Sequence, residues 1–168
     1  MKTVQLAVHP VSKSGFAAYG DVVETEGAEL RMINQGSTER FHDLAAIDVS
    51  DEGGRPIVSL FRGRPFAPPI EIAMMERHPL GSQLFYPVSD RPFLAVVAAD
   101  EDGRPGAPVA FLCPAGVGVN YAKNTWHHPL LSLEEVCDFV VVDRDGPGTN
   151  LEEYDYPDTR YRIDAVSG

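Results

Sequence analysis

Histidine is the residue type that first points to chemistry in this chain, because imidazole acts as a base or a metal ligand near neutral pH. Of the five histidines, His78 follows Glu76 by two positions in an alternating segment. Strand periodicity predicts two faces for this segment. The apolar face carries Ile70, Ile72, Met74, Glu76 and His78, and the other carries Glu71, Ala73, Met75 and Arg77. A buried carboxylate beside an imidazole is costly unless both are paired or ligated, so we interpret this pair as a candidate site. A structural Glu–His pair holding two strands together is the alternative.

A second histidine pair lies later in the chain, at His127 and His128. Adjacent residues of an extended segment point to opposite faces, so only one of the two can enter a barrel. His127 shares its face with Lys123, which groups a base with a cation and favours His127 as the inward residue. Gln83, five residues beyond His78, could return to the same pocket after a turn.

An acidic chain needs local cations if it is to bind an acid. The sequence has 14 Lys+Arg against 25 Asp+Glu, a formal net charge of −11, which disfavours nucleic acid and anionic membranes as partners. Arg62 shares a strand face with Val58 and Leu60, so we expect it to point inward. Arg77 and the loop residue Asn34 are the other candidate donors to a substrate carboxylate.

Short strands are the elements that must position these side chains. The 168 residues include 15 Gly and 14 Pro, spread without a linker, so we predict a single domain over residues 1–168. Strands are predicted at Pro56–Phe66, Ile70–His78, Phe93–Ala99, Val109–Cys113 and Val136–Val142. Helical candidates are Ser14–Tyr19, Glu39–Leu44 and Asn150–Tyr154. The pattern indicates a mainly β, cupin-like (jelly-roll) β-barrel with a few short helices.

Three further features of the sequence indicate a cytoplasmic protein. Cys113 and Cys137 lie in apolar runs without metal-site or disulfide spacing, so we expect buried free thiols. The N-terminal residues lack the apolar core of a signal peptide. The longest charge-free stretch, Gly106–Ala122, is interrupted by prolines and glycines and is not a membrane helix.

On these residues the sequence resembles the ureidoglycolate lyases of allantoin degradation, formerly called ureidoglycolate hydrolases. The most specific matching blocks are Glu76–Gln83 and Trp126–Pro129. Other matching segments are Phe16–Glu24, Ile33–Gly36, Glu39–Leu44, Gly118–Tyr121 and Asp143–Arg144. The resemblance implies a cupin-like barrel that forms homodimers. It also implies an amidine carbon–nitrogen lyase that cleaves (S)-ureidoglycolate, a small anionic substrate, to glyoxylate and urea.

The resemblance leaves the presence of a metal open. Compared with metal-binding cupins, Glu76 and His78 stand where a His-x-His pair is usual, Gln83 replaces a glutamate, and Val119 occupies the usual second-motif histidine position. A divalent metal, nickel by analogy with the family, is the implied candidate cofactor. Its ligands would be Glu76, His78, Gln83 and His127.

Ureidoglycolate carries a hydroxyl, a carboxylate and a urea nitrogen on one carbon, so its cleavage needs a base, an acid and a carboxylate clamp. We predict His127 or His78 as the base, Glu76 as the group that tunes its pKa, and Lys123 as the acid. The predicted carboxylate-binding residues are Asn34, Arg62 and Arg77.

Two other functions stay open on the sequence. One is another metal-dependent cupin enzyme that acts on a small acid or sugar, such as an isomerase or dioxygenase. The other is a non-catalytic cupin module that binds a small acid. The same acid, base and clamp would also serve a hydrolase, so the residues alone do not separate lyase from hydrolase chemistry.

Overall fold

Most of the chain lies in short strands in the computed structural model, which describes residues 1–166. The strands are β1 (Lys2–Gln5), β2 (Val8–Pro10), β3 (Gly20–Val23), β4 (Glu29–Ile33), β5 (Thr38–His42), β6 (Arg55–Gly63), β7 (Ile70–Ile72), β8 (Met74–Arg77), β9 (Gln83–Pro87), β10 (Phe93–Ala98), β11 (Asp100–Glu101), β12 (Arg104–Pro105), β13 (Val109–Cys113), β14 (Gly118–Tyr121), β15 (Trp126–His127), β16 (Leu131–Ser132), β17 (Cys137–Asp145), β18 (Glu152–Asp155) and β19 (Thr159–Ile163). The helical elements are α1 (Lys13–Phe16) and two 3₁₀ turns, at Asn34–Gly36 and Asp51–Gly53.

Two sheets form the walls of a barrel. The front sheet has the strand order β3-β14-β9-β17-β6, and the central sheet has the order β18-β8-β15-β10-β13-β2, with β16 beside β10. Side chains from both sheets fill the interior, with Phe85 and Phe139 from the front sheet meeting Phe93 and Phe111 from the central sheet. The predicted mainly β, cupin-like barrel is confirmed.

A second core covers the opposite face of the central sheet. A three-stranded outer sheet, in the order β1-β19-β7, packs there through Ile72 and Ile163 against Leu94 and Val96. All six residues of β10 are buried, because alternate side chains face the two cores. A strand buried on both faces is uniformly apolar rather than alternating, which explains the uninterrupted apolar run that marked this strand in the sequence.

One of the three helical candidates is confirmed. The stretch Ser14–Tyr19 contains part of the one-turn helix α1, in which the Ser12 hydroxyl accepts a hydrogen bond from the Gly15 N–H. The other two predictions are wrong, because those stretches pair as strands, β5 with β4 and β18 with β8. Strand pairing satisfies backbone groups that a helix of one turn would leave unpaired.

The segment predicted as one strand before His78 is divided at Ala73, whose carbonyl accepts a backbone hydrogen bond from the C-terminal segment. β7 belongs to the outer sheet and buries its isoleucines in the second core, where Met75 of β8 joins them. The predicted shared face of those isoleucines with Glu76 and His78 is therefore wrong. The break moves the chain from one sheet to another, so the alternation changes phase at Ala73.

Both cysteines, Cys113 and Cys137, are buried free thiols in the barrel core, as predicted. Within residues 1–166, no helix combines the length and apolar composition needed to cross a membrane.

Candidate active site

Glu76, His78 and His127 converge inside the barrel. β15 pairs with β8 so that His127 lies directly opposite Glu76, and His78 follows the last residue of β8. Their potential ligand atoms all lie within 4.8 Å of one another. His78 Nε2 is 4.0 Å from Glu76 Oε1, and the two imidazole centroids are 5.3 Å apart. His127, rather than His128, belongs to this cluster, as the face parity favoured.

Hydrogen bonds determine which nitrogen of each imidazole is free. His78 Nδ1 lies 2.9 Å from the Asn150 carbonyl oxygen, and His127 Nδ1 lies 3.1 Å from that of His128. A carbonyl only accepts, so each Nδ1 carries the proton and each Nε2 holds a lone pair. Among the described residues, neither buried Nε2 has a hydrogen-bond partner. Two free lone pairs and a carboxylate therefore share one small volume.

The surroundings of His127 hold its imidazole neutral. Tyr121 stacks on the ring with centroids 4.2 Å apart and planes 4° from parallel. Burial, followed by the proximity of His78, lowers the pKa of His127 from 6.5 to about 3. Burial also raises the pKa of Glu76, against the opposing attraction of His78. At neutral pH His127 is therefore a neutral imidazole that can bind a metal through Nε2, but it has no proton to donate from that atom.

A cavity of about 510 Å³ reaches the cluster, and both Glu76 and Gln83 line it. Phe61 and Leu130 supply part of its apolar wall. This volume is in the usual range for a small-molecule site. Gln83 Nε2 donates to Asp143 at 3.1 Å, whereas the buried Gln83 Oε1 has no partner among the described residues. The structure thus places Gln83 in the same cavity as Glu76.

A larger cavity, of about 610 Å³, lies beside the second core. Its walls include Phe66, Leu112 and Leu133, and within the described residues Glu134 is the one titratable side chain that lines it. A single exposed carboxylate offers no acid–base pair, so this cavity is not our candidate site.

The structure does not bring Lys123 to the cluster. Its ammonium lies 2.8 Å from Asp51 and 3.4 Å from Asp48, beside a separate cavity of about 260 Å³. The expected shared face with His127 is absent because a turn at 122–125 interrupts the strand alternation. The structure therefore does not support Lys123 as the proton donor.

Arg77 also lies away from the cluster, on the opposite side of β8. Its guanidinium carbon is 4.3 Å from the centre of the Trp126 ring, a cation–π contact. Ion pairs with Asp100 at 2.8 Å and Glu152 at 2.7 Å complete its surroundings. These contacts stabilise the outer face of the central sheet, and Arg77 does not reach a substrate in the barrel.

Arg62 lines the cavity, but its side chain points outward, contrary to the prediction. It is 75% exposed and donates to both carboxylate oxygens of Asp138, at 2.8 and 3.1 Å. Val58 and Leu60 are exposed on the same outer face. The strand turns this way because Phe61 takes the inward position, against the aromatic side chains of the barrel.

The third predicted carboxylate donor, Asn34, lies at the tip of the β4–β5 hairpin. Its φ is 54°, and its side-chain amide donates to Thr38 Oγ1 at 3.2 Å. It is exposed and does not line the cavity. Both strands of this hairpin are mostly exposed, because they pair with each other and with no other strand of the described chain.

Sequence reasoning missed four residues at the site. Tyr121 and Asp143 lie in segments that carried the family resemblance, but neither was assigned a role. Asn150, whose carbonyl orients His78, was placed in a helix. Arg64 lines the cavity, and its position between a glycine and a proline after a strand was a signal that could have found it.

A β-barrel with a carboxylate and two imidazoles inside has the architecture of a cupin with a candidate small-molecule site. The chain belongs to the ureidoglycolate lyase family, whose model matches residues 3–164. The family predicted from the sequence motifs is therefore confirmed.

Relatives and one solved structure extend this comparison. A ureidoglycolate lyase from Brucella anthropi is 53% identical over 166 residues, which is 99% of this chain and 98% of the relative. One from Rhizobium leguminosarum bv. trifolii is 57% identical over 149 residues, covering 89% and 90%. A dTDP sugar isomerase from Desulfovibrio desulfuricans aligns with a TM-score of 0.44 and 18% identity, over 79% of this chain and 85% of that one.

Proposed function

We propose that this chain is a ureidoglycolate lyase of allantoin degradation, which cleaves (S)-ureidoglycolate into glyoxylate and urea. The observation that carries the proposal is the cluster of Glu76, His78 and His127, which meets a cavity through Glu76, in a chain whose relatives bear that name.

The reaction consists of one bond cleavage and two proton transfers. Loss of the hydroxyl proton allows the carbon–oxygen double bond of glyoxylate to form as the carbon–nitrogen bond breaks. The departing nitrogen takes up one proton and leaves as urea. No water is consumed, which distinguishes a lyase from a hydrolase.

We assign the acceptance of the hydroxyl proton to His78. The Asn150 carbonyl occupies its Nδ1, which leaves Nε2 as the atom that accepts the proton, whereas the buried His127, with a pKa of about 3, is too weak a base. Glu76 then delivers this proton to the departing nitrogen. His78 Nε2 and Glu76 Oε1 are 4.0 Å apart, so transfer from imidazolium to carboxylate requires the two side chains to approach to hydrogen-bond distance or one water molecule to bridge them.

The same three side chains fit a divalent metal. Two buried, unpartnered Nε2 atoms and a carboxylate, each histidine oriented through its Nδ1, make a donor set suited to a first-row metal such as nickel. Gln83 Oε1 is a further buried oxygen without a partner among the described residues. When bound, the metal would polarise the substrate hydroxyl and offset negative charge.

The decisive experiment incubates the purified protein with racemic ureidoglycolate and quantifies glyoxylate, urea and ammonia separately. Equimolar glyoxylate and urea without ammonia, from half of the racemate, is the expected result. Two ammonia for each glyoxylate would instead establish a hydrolase. No glyoxylate, with or without added divalent metals, would refute the proposed function.

Exhaustive chelation then separates the two roles of the cluster. Turnover that survives chelation assigns the proton transfers to His78 and Glu76. Turnover that is lost on chelation and restored by nickel or another divalent metal assigns these side chains to holding the metal.

We also propose a homodimer that uses the outer face of the front sheet. β6 is an edge strand of that sheet, and its outward residues Val58 and Leu60 are 71% and 73% exposed. The neighbouring charges neutralise each other in the Arg62–Asp138 pair. An exposed apolar face without net local charge, on the edge strand of an otherwise acidic chain, is suited to self-association. Light scattering of the parent protein should give a mass of twice 18.3 kDa, and Leu60→Lys should halve that mass. A monomeric parent protein would refute the dimer.

We further infer one catalytic domain over residues 1–168, acting in the cytoplasm on a small anionic substrate. The two buried free thiols are compatible with a reducing compartment. Cell fractionation followed by immunodetection tests the location, and detection in the membrane or secreted fraction would contradict it.

A further inference from the structure

A substrate carboxylate that enters the cavity needs a cation beside it. The chain has a net charge of −11, and Glu76 places a further acidic group in the cavity itself. Two cations line the described cavity, Arg62 and Arg64. Arg62 is already paired through two hydrogen bonds with Asp138. Among residues 1–166, no carboxylate lies within ion-pair distance of Arg64.

The backbone on both sides of Arg64 is anchored. Gly63 pairs with Cys137 in the front sheet, and a Cβ at Gly63 would collide with Ser132 Oγ. On the other side, the Phe66 N–H donates to the Ser132 carbonyl at 2.8 Å. The proline that follows Arg64 restricts its backbone to extended conformations. Arg64 is thus carried by a short, anchored connection at the wall of the cavity.

We propose that Arg64 binds the carboxylate of the substrate, an inference that rests on the proposed function and deepens it. A guanidinium presents two parallel N–H donors that match a carboxylate, and such charge-assisted pairs are roughly twice as strong as neutral hydrogen bonds. The carboxylate is present in both ureidoglycolate and glyoxylate but not in urea. Arg64 therefore distinguishes one product from the other.

The test compares Arg64→Gln and Arg64→Lys with the unchanged enzyme. A matched control is Arg104→Gln, because Arg104 is also exposed, lies in the β11–β12 hairpin and does not line the cavity. We expect Arg64→Gln to raise the KM for (S)-ureidoglycolate about 10- to 100-fold. Arg64→Lys should recover part of the loss, and the control should match the parent enzyme.

Product inhibition separates carboxylate binding from general damage to the site. The inhibition constant of glyoxylate should rise with the KM in Arg64→Gln, while that of urea stays unchanged. An unchanged KM, or equal rises for both products, would overturn the role of Arg64 while leaving the lyase activity established.

Calorimetry with glyoxylate alone keeps the inference testable if the parent protein shows no turnover. Glyoxylate binding that the parent and Arg104→Gln retain and Arg64→Gln loses would support a carboxylate site at Arg64 even though the proposed lyase function had failed. Failure of the parent protein to bind glyoxylate, or equal binding by Arg64→Gln, would refute the inference.

Discussion

The neutral state of His127 should make the protein lose stability in mild acid, and this effect can be measured directly. Its pKa is about 3 in the folded chain and 6.5 in its ordinary state. Between these values the unfolded chain binds the proton and the folded chain does not. The stability is therefore present above pH 6.5 and is lost as the pH falls toward 3.

The size of the effect follows from the two pKa values of His127. Proton linkage gives a loss of about 2 kcal/mol in the free energy of unfolding between pH 7 and pH 5. For a domain of this size, that loss corresponds to about 4–8 °C in Tm. His127→Gln should remove this pH-dependent loss of stability, because glutamine does not titrate.

The assay is urea unfolding at pH 7 and pH 5, followed by the fluorescence of Trp126, the one tryptophan of the chain and a buried one. A chelator is present throughout, because a bound metal would add its own stabilisation. His9→Gln serves as the control, since His9 is exposed. If His127→Gln loses as much stability as the parent protein between the two pH values, the imidazole is not held neutral by burial.

Three further substitutions test the assignment of the site and the fold. His78→Ala should lower turnover by about 10²- to 10⁴-fold, measured as the steady-state rate of the folded variant. A near-parental rate would remove His78 from the mechanism. Lys123→Met should leave kcat/KM within about threefold of the parent value and lower the free energy of unfolding by at most about 1 kcal/mol, because ion pairs are lost. A loss of turnover equal to that of His78→Ala would contradict the placement of Lys123 away from the cluster. Gly20→Ala should destabilise the chain by about 2 kcal/mol or more. The φ of Gly20 is +150°, and a Cβ at this position would collide with the Asn120 carbonyl oxygen. Parental stability in urea unfolding would contradict the tight approach of β3 to β14.

The residues that the sequence placed correctly are those whose relation is local. Glu76 and His78 lie two positions apart and face the same side because strand geometry alternates side chains. The same parity separated His127 from His128. The apolar run at Phe93–Ala99 likewise indicated a strand, and the structure buries Phe93–Ala98 on both faces.

The residues that the sequence placed wrongly depend on contacts between distant strands. Arg62 has the predicted parity with Leu60, but which face of β6 points inward is decided by how Phe61 packs on the barrel. For Lys123 the cause is partly local, because a turn at 122–125 ends its alternation with His127. Its ammonium then pairs with Asp48 and Asp51, which lie far away in the chain.

The site therefore divides between two levels of structure. Backbone geometry acts over a few residues, so the sequence alone determined that Glu76 and His78 share a face. Strand pairing joins residues far apart in the chain, so only the tertiary structure set His127 opposite Glu76 and left Arg64 as the unpaired cation among the described cavity residues. Long-range pairing also decides which face of each strand becomes the interior, because that face is whichever one the neighbouring sheet covers.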